Sequence, residues 1–342
     1  MKSLKVLVLM HKHLVPPQTV SDVDLAQAEW KTEFDVLTAL RKIGHDVEPL
    51  GVEKDLGIIR SAIDVWKPDI VFNLLEAFQN VSLFEPNVVS YLELLRVPYT
   101  GSNPRGLLLA KDKGLSKRLM AYHRIPMPEF TVFRRGEKVR VPKRLAFPLI
   151  VKSLTEEASL GISQASVVED EHKLRERVSF IHTSVATDAL VERFIDGREL
   201  YVGVMGNQRL RVLPVWEMQF TKMPDDVRHI ATERVKWSLK YQEKYGIKTG
   251  ELTEVTDGLS QRIRHLCKRV YRSLELSGYA RIDLRLDKDG KIYVLEANPN
   301  PQIAREEDFA ESAKRAGISY KHLLQRIITL GLQWHPERNG GT

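Results

Sequence analysis

Apolar positions along the chain switch between two periods. Residues 4–10 form a nearly unbroken apolar run, the pattern of a strand buried on both faces. Residues 25–43 repeat apolar positions every three to four and stop at Gly44, which predicts an amphipathic helix with a glycine end. The pattern goes on as a strand at 45–50, a helix at 53–66, a strand at 67–75, a helix at 86–96 and an extended segment at 97–102. Strands alternating with helices imply a parallel sheet, so an α/β domain is expected over 1–102.

The rhythm then changes. A helical stretch covers 104–123, and the two prolines of "IPMPEF" break it. Strands at 147–154 and 188–195 flank a polar loop and a helix at 170–183, and two more strands follow at 198–206 and 209–218. Residues 219–251 are a long polar segment with little apolar periodicity. A helix is expected at 257–277 and a terminal helix at 319–332, with a disordered tail over 333–342. This part reads as α+β, divided at about residue 198 into a central unit (103–198) and a C-terminal unit (199–332).

Between those two helices runs "GYARIDLRLDKDGKIYVLEANPN", residues 278–300. Asp289-Gly290 is a two-residue hairpin signal that pairs Lys288 with Lys291. Counting outward, Asp283 falls opposite Glu296 and Arg281 opposite Asn298, all on one face; Ile282, Leu284, Tyr293 and Leu295 fall on the other, as core. Two carboxylates directly opposed repel. A divalent cation such as Mg²⁺, bridging carboxylates to phosphates, resolves the conflict. A solvated acidic face is the competing explanation.

Composition removes several function classes. The chain has 342 residues with 43% hydrophobic and 28% charged content, as in ordinary soluble proteins. One cysteine, Cys267, excludes a disulfide framework and reads as a buried thiol. The N-terminal apolar run is too short for a membrane span and lacks a cleavage pattern, so a cytoplasmic protein without membrane contact is expected. The net charge of +7 comes from scattered basic residues, densest at 133–144 and 261–272. Solvated surface explains both clusters, and nucleic acid is not an expected partner.

Two further stretches carry weak signals alone. Lys152 ends an apolar strand, ahead of a loop closing with Ser159-Leu160-Gly161, a combination able to meet phosphates. It is neither a Walker loop nor a G-x-G-x-x-G, and a lysine snorkelling from a strand end fits as well. In "LVERFIDGRELYVGVM", a strand could offer backbone groups to an adenine edge and Glu199 could accept from ribose hydroxyls.

Taken in order, "LLLAKDKGLSKRLMAYHRIPMP", "FPLIVKS…EASLGIS", "ALVERFIDGRELYVGVMG" and "YARIDLRLDKDGKIYVLEANPNP" resemble the ATP-grasp superfamily, with the D-alanine–D-alanine ligase-like proteins as the nearest group, over about residues 69–330. The resemblance implies an N-terminal α/β domain followed by a two-subdomain ATP-grasp fold, with ATP held between the subdomains. It maps Lys113 and Lys152 to the nucleotide phosphates, with Ser159 in the loop after Lys152. It maps Glu192, Arg193, Phe194 and Ile195 to the adenine strand, and Glu199 to the ribose. Asp283, Glu296 and Asn298 match the ligands of Mg²⁺ (or Mn²⁺), and Arg281 the arginine that steadies the transferring phosphoryl group. The segment 219–251 matches a closing loop, with Lys236 preferred over Lys244 as its lysine. The implied chemistry is carboxylate–amine ligation through an acyl phosphate, on small amino-acid-like substrates. Dimers are frequent in that family, so a homodimer is compatible with the resemblance.

The substrate half departs from the pattern. "HKHLVPPQTVSD" follows the first strand where the family is glycine-rich, and Gln302 and Glu307 replace a glycine and a serine. Glu76, Gln302 and Arg305 are candidate substrate residues, with His11, His13 and Glu307 facing the same cleft. A ligase for something other than D-alanine is therefore expected. The alternatives are a D-alanine–D-alanine ligase with a divergent N-terminus and a nucleotide-binding protein without catalysis.

Overall fold

The computed structural model describes residues 2–17, 19–20, 25, 28–155, 161–224, 227–253 and 256–339. The first part is the expected alternation: β1 (Lys5–His11), α1 (Lys31–Ile43), β2 (Asp46–Val52), α2 (Gly57–Trp66), β3 (Ile70–Asn73) and α3 (Glu85–Leu94). The early residues of the helix expected at 25–43 lie partly outside the described residues (26–27). The strands form a parallel sheet in the order β2-β1-β3. Gly44 ends α1 in the left-handed region (φ 100°), as a glycine after a helix does.

The stretch expected as one helix is two, α4 (Pro104–Lys111) and α5 (Lys113–Tyr122). Asp112 leaves helical geometry (ψ 98°), and its side chain accepts from the Leu115 amide at 2.9 Å. A cap for the second helix thus ends the first. Strands β4 (Phe130–Phe133), β5 (Leu149–Ser153), β6 (Val167–Val168) and β7 (Ala189–Arg193), with α6 (Glu171–Phe180) between the last two, form an antiparallel sheet in the order β4-β7-β5-β6.

The last part comprises β8 (Arg198–Met205), β9 (Arg211–Phe220), α7 (Glu233–Trp237), α8 (Leu239–Tyr245), β10 (Ile247–Glu251), α9 (Asp257–Ser273), β11 (Tyr279–Leu286), β12 (Ile292–Pro299), α10 (Asp308–Arg315), α11 (Tyr320–Leu332) and α12 (Pro336–Asn339). Its five-stranded antiparallel sheet runs β10-β9-β8-β11-β12. The polar stretch 219–251 therefore holds two short helices and an edge strand; β10 pairs with β9 from Ile247 opposite Phe220 to Glu251 opposite Trp216. The helix expected to reach 277 stops at Ser273, because the chain turns with Glu275 at φ 51° and Gly278 at φ 67°. A Cβ on Gly278 would lie 2.3 Å from the Gly101 carbonyl oxygen, so that close crossing requires glycine. The expected tail is not loose at its start. Trp334 packs against the core on the α2–α3 side of the first sheet and donates its indole N–H to Glu93 at 3.0 Å.

The hairpin keeps the expected register at its acids by a different route. The turn holds one residue more than a two-residue loop: the Asp287 amide donates to the Lys291 carbonyl at 3.0 Å, around Gly290 at φ 74°. A register shift between Asp283 and Leu284 absorbs the extra residue. Arg281 thus pairs with Asn298 and Asp283 with Glu296. The correction falls on the core face, where Ile292 and Val294 stand in place of Tyr293 and Leu295.

One apolar core joins the first sheet to the third. Val6, Val8 and Met10 of β1, Val36 and Leu40 of α1, Met205 and Leu213 of β8–β9, and Leu324 and Ile327 of α11 are all buried in it. The C-terminal helix thus covers a face of the first sheet and ties it to the third.

Candidate active site

The cleft lies between the two antiparallel sheets. Its walls include Lys113, Ile150, Lys152, Glu192, Arg193, Phe194, Ile195, Glu199, Lys236, Asp283, Arg285, Leu295 and Glu296. Ten of these were singled out from the sequence. Ser159 lies outside the described residues.

On the central sheet, Ile150 pairs with Glu192 and Lys152 with Leu190, so the lysine and the acid sit diagonally on one face. Lys152 Nζ reaches Glu192 Oε2 at 3.0 Å, and Glu192 is 1% exposed. Its other oxygen meets Lys117, which the sequence reading overlooked. Lys117 follows Lys113 by one helical turn and so shares its face. It also donates to the Leu295 carbonyl at 3.1 Å, at the irregular point of β12. Burial would raise the Glu192 carboxyl, but Lys117 and Lys152 together hold it below the usual carboxylate range. Burial pushes the Lys117 ammonium down against the pull of Glu192.

On the third sheet, Arg281 grips Asp283 with Nε and Nη2 at 2.7 and 2.9 Å, and Asn298 Nδ2 donates to Asp283 at 2.9 Å. Glu296 lies 4.0 Å from Lys113. The two opposed acids are driven apart: burial pushes Asp283 up, while Lys113, Lys152, Lys236 and Arg281 outweigh burial and hold Glu296 low. Glu199 is buried beside Arg285 at 3.1 Å and accepts from the Tyr201 hydroxyl at 2.9 Å. Arg285 and Tyr201 were also missed, for they sit among strand residues with no local signature. Ile150, Phe194 and Ile230 form an apolar cluster in the cleft wall, a surface suited to a flat ring.

Segment 219–251 closes one side. The Glu233 amide donates to the Ile162 carbonyl at 3.1 Å, and Gln164 Nε2 to the Arg228 carbonyl at 2.9 Å. Lys236 lines the cleft. Lys244 instead sits over the Tyr245 ring, 5.0 Å from its centre.

The three candidate substrate residues do not line the cleft. Glu76 is exposed in the loop after β3. Gln302 donates to Thr32 Oγ1 at 3.3 Å, and the Arg305 guanidinium lies 3.5 Å from Asp35 and over the Tyr320 ring. Gln302 and Arg305 lie where the start of α1 meets the loop after β12. His11 and His13, at and just after the end of β1, stack 5.4 Å apart, with His11 pushed down by burial and by His13. Burial raises the Glu307 carboxyl, helped by Asp308.

No helix among the described residues is long and apolar enough to cross a membrane. The family model described as "D-ala D-ala ligase C-terminus" matches residues 119–329. A protein of Sinorhizobium fredii named "Uncharacterized protein y4sG" is 34% identical over 300 residues, covering 86% of this chain and 85% of its own. A D-alanine–D-alanine ligase of Desulforudis audaxviator is 30% identical over 300 residues, covering 86% and 90%. The crystal structure of a Bacillus anthracis D-alanine–D-alanine ligase complexed with ATP shares the fold with a TM-score of 0.76 at 23% identity, over 99% of this chain and 100% of that one. The chain belongs to the D-alanine–D-alanine ligase family of ATP-grasp, ATP-dependent carbon–nitrogen ligases.

Proposed function

We propose that the protein joins a carboxylate to an amine through an acyl phosphate, on an amino-acid- or peptide-like substrate other than D-alanine. The observation that carries this reading is the convergence of Lys113, Lys152, Lys236, Asp283 and Glu296 on one cleft. Lys113, Lys152 and Lys236 draw the nucleotide phosphates in and offset the charge that spreads over the γ-phosphoryl group. Phe194, Ile150 and Ile230 take the adenine, and the backbone of 192–195 reads its edge. Glu199 faces the ribose. Arg281, fixed by Asp283, steadies the phosphoryl group as its bond to ADP breaks and a bond to the carboxylate oxygen forms. The amine nitrogen then bonds to the acyl carbon, phosphate leaves, and the nitrogen gives up a proton. Lys236 and the closing segment exclude water from the acyl phosphate.

The donor set suits Mg²⁺, with Mn²⁺ as a substitute. Among the described residues no three His, Cys, Asp or Glu side chains gather as metal ligands. What is present is two opposed carboxylates and an amide, all oxygen donors, which leave further positions to phosphate and water. Asp283, Glu296 and Asn298 would hold the ion, which when bound neutralises phosphate charge.

A substrate other than D-alanine is supported by the rebuilt end beyond Asn298. Arg305 is already matched by Asp35, and Glu307 stands where the family carries a serine. D-alanine–D-alanine ligation is the second reading, and the named relatives favour it. Phosphate release from Mg-ATP over a panel of D- and L-amino acids, dipeptides and carboxylic acids decides, beside a Glu296→Gln control. Release that needs a pair without D-alanine, and vanishes in the control, is expected. Release with D-alanine alone overturns the substrate assignment.

A further inference from the structure

Arg285 stands in the cleft wall beside Phe194 and Glu199, and it is 4% exposed. On β11 it lies directly opposite Glu199 of β8, so a cation faces an anion across the two strands. Its Nη2 lies 3.1 Å from Glu199 Oε2 and donates to the His229 carbonyl at 2.9 Å. Its Nη1 donates to the Gly197 carbonyl at 2.6 Å. A guanidinium taken out of water needs such partners, and its planar fork holds them at fixed angles to one another.

Each partner belongs to a different part of the surface assigned to the nucleoside. Gly197 follows the strand whose backbone at 192–195 is assigned to the adenine edge. Glu199 is the acid assigned to the ribose. Its Oε1 accepts from the Tyr201 hydroxyl at 2.9 Å and its Oε2 meets Arg285, so both oxygens are aimed while each keeps a lone pair for an incoming hydroxyl. His229 precedes Ile230, whose buried side chain packs with Phe194, Ile150 and Val167 as the apolar wall. The Arg285 guanidinium itself lies over Phe194, 5.8 Å from the ring centre. The next part of the closing segment has its own anchor, since Ala231 and Val235 pack with Tyr201 and Met218. Loss of the Arg285 fork would therefore free residues 229–230 rather than the whole segment.

We propose that Arg285 is the positioning residue of the nucleoside half, fixing the adenine strand, the ribose acid and the Ile230 wall as one surface. The inference rests on the nucleotide site of the ligase reading and deepens it. Preference for a nucleoside triphosphate over a bare triphosphate then depends on this side chain, and the binding of phosphate by Lys113 and Lys152 does not.

The test is calorimetric titration of the full chain with Mg²⁺ and either a non-hydrolysable ATP analogue or inorganic tripolyphosphate. Arg285→Met removes the donors. It is expected to weaken the analogue by roughly 10- to 100-fold, the worth of one charged hydrogen bond, and to leave tripolyphosphate within about 2-fold of the parent. Arg285→Lys keeps a charge facing Glu199 but not the fork, and is expected to lose the analogue nearly as far. Parent affinity for the analogue in either variant overturns the proposal, and so do equal losses of both ligands in Arg285→Lys, which would make the residue a general support. Should Arg285→Met bind neither ligand, Arg285→Lys decides by the same criteria. Should tripolyphosphate bind the parent too weakly to compare, amide exchange in the analogue complex decides: faster exchange at 229–230 in the variant with β12 unchanged is expected, and equal exchange at 229–230 overturns the proposal. Absence of analogue binding by the parent takes down the nucleotide site and this inference with it, whereas parent binding without the expected losses takes down this inference alone.

Discussion

Lys117 and Lys152 divide one buried carboxylate between them. Glu192 meets Lys152 with one oxygen and Lys117 with the other. Removing Lys117 leaves Glu192 with Lys152 alone and the Leu295 carbonyl without its donor, at about 1–3 kcal/mol. Lys117→Met is expected to lower stability on that scale and raise the KM for ATP as Lys152 draws toward Glu192. Denaturant unfolding and initial rates check both; a KM equal to the parent's would show that Lys117 does not position Lys152. Glu33, buried in the first turn of α1, gives a pH signature. Burial holds its carboxyl near 7 in the fold against 4.5 unfolded. A carboxyl raised by folding contributes stability that is whole below about pH 4.5 and is lost as pH climbs to 7, a loss of roughly 3 kcal/mol. Glu33→Gln should therefore be more stable than the parent at pH 8 and equal to it at pH 4. An equal gain at both would mean the carboxyl titrates normally.

At the scale of elements, the hairpin shows what a sequence can and cannot disclose. The opposition of Asp283 and Glu296 was read by counting outward from a two-residue turn at Asp289-Gly290, and it holds because two irregularities cancel. The longer turn and the register shift near Leu295 were not legible, because each offsets the other and neither leaves a mark in the pattern. The break at Asp112 was legible in principle, as a capping aspartate inside an apolar repeat, but helical periodicity runs through it. That break turns Lys111 toward Glu85 and leaves Lys113 beside Glu296. Asp112→Ala should cost about 1 kcal/mol of stability through the lost cap and weaken ATP binding through Lys113. Lost stability with unchanged ATP affinity would separate the cap from the site. Gly197, between β7 and β8, sits at φ 147°, and a Cβ there would meet the Leu286 carbonyl oxygen at 2.1 Å. Gly197→Ala is expected to destabilise by at least about 2 kcal/mol and to pull Glu192 and Glu199 out of alignment. A melting temperature within a degree of the parent's would contradict that.

The whole molecule depends on contacts far apart in sequence, and these were the least legible. Lys117 meets the Leu295 carbonyl across 178 residues, and α11 completes a core begun by β1. Neither residue type nor local period announces such pairings. The family resemblance carried the rest of the cleft, since its four motifs are brought together only by the fold. The closing segment touches the loop after Lys152 through Glu233 and Gln164. Mg-ATP should slow amide exchange at 161–166 and 228–245 more than elsewhere, and uniform slowing would argue against a lid. The central claim is that a metal–nucleotide complex binds where Glu296 opposes Asp283. The most direct measurement is the calorimetric affinity of a non-hydrolysable ATP analogue with and without Mg²⁺, for the parent and Glu296→Gln. Tight binding that needs Mg²⁺ in the parent, and loses most of that dependence in the variant, is the expected result. Equal affinity with and without Mg²⁺, or an unaltered dependence in Glu296→Gln, would contradict it.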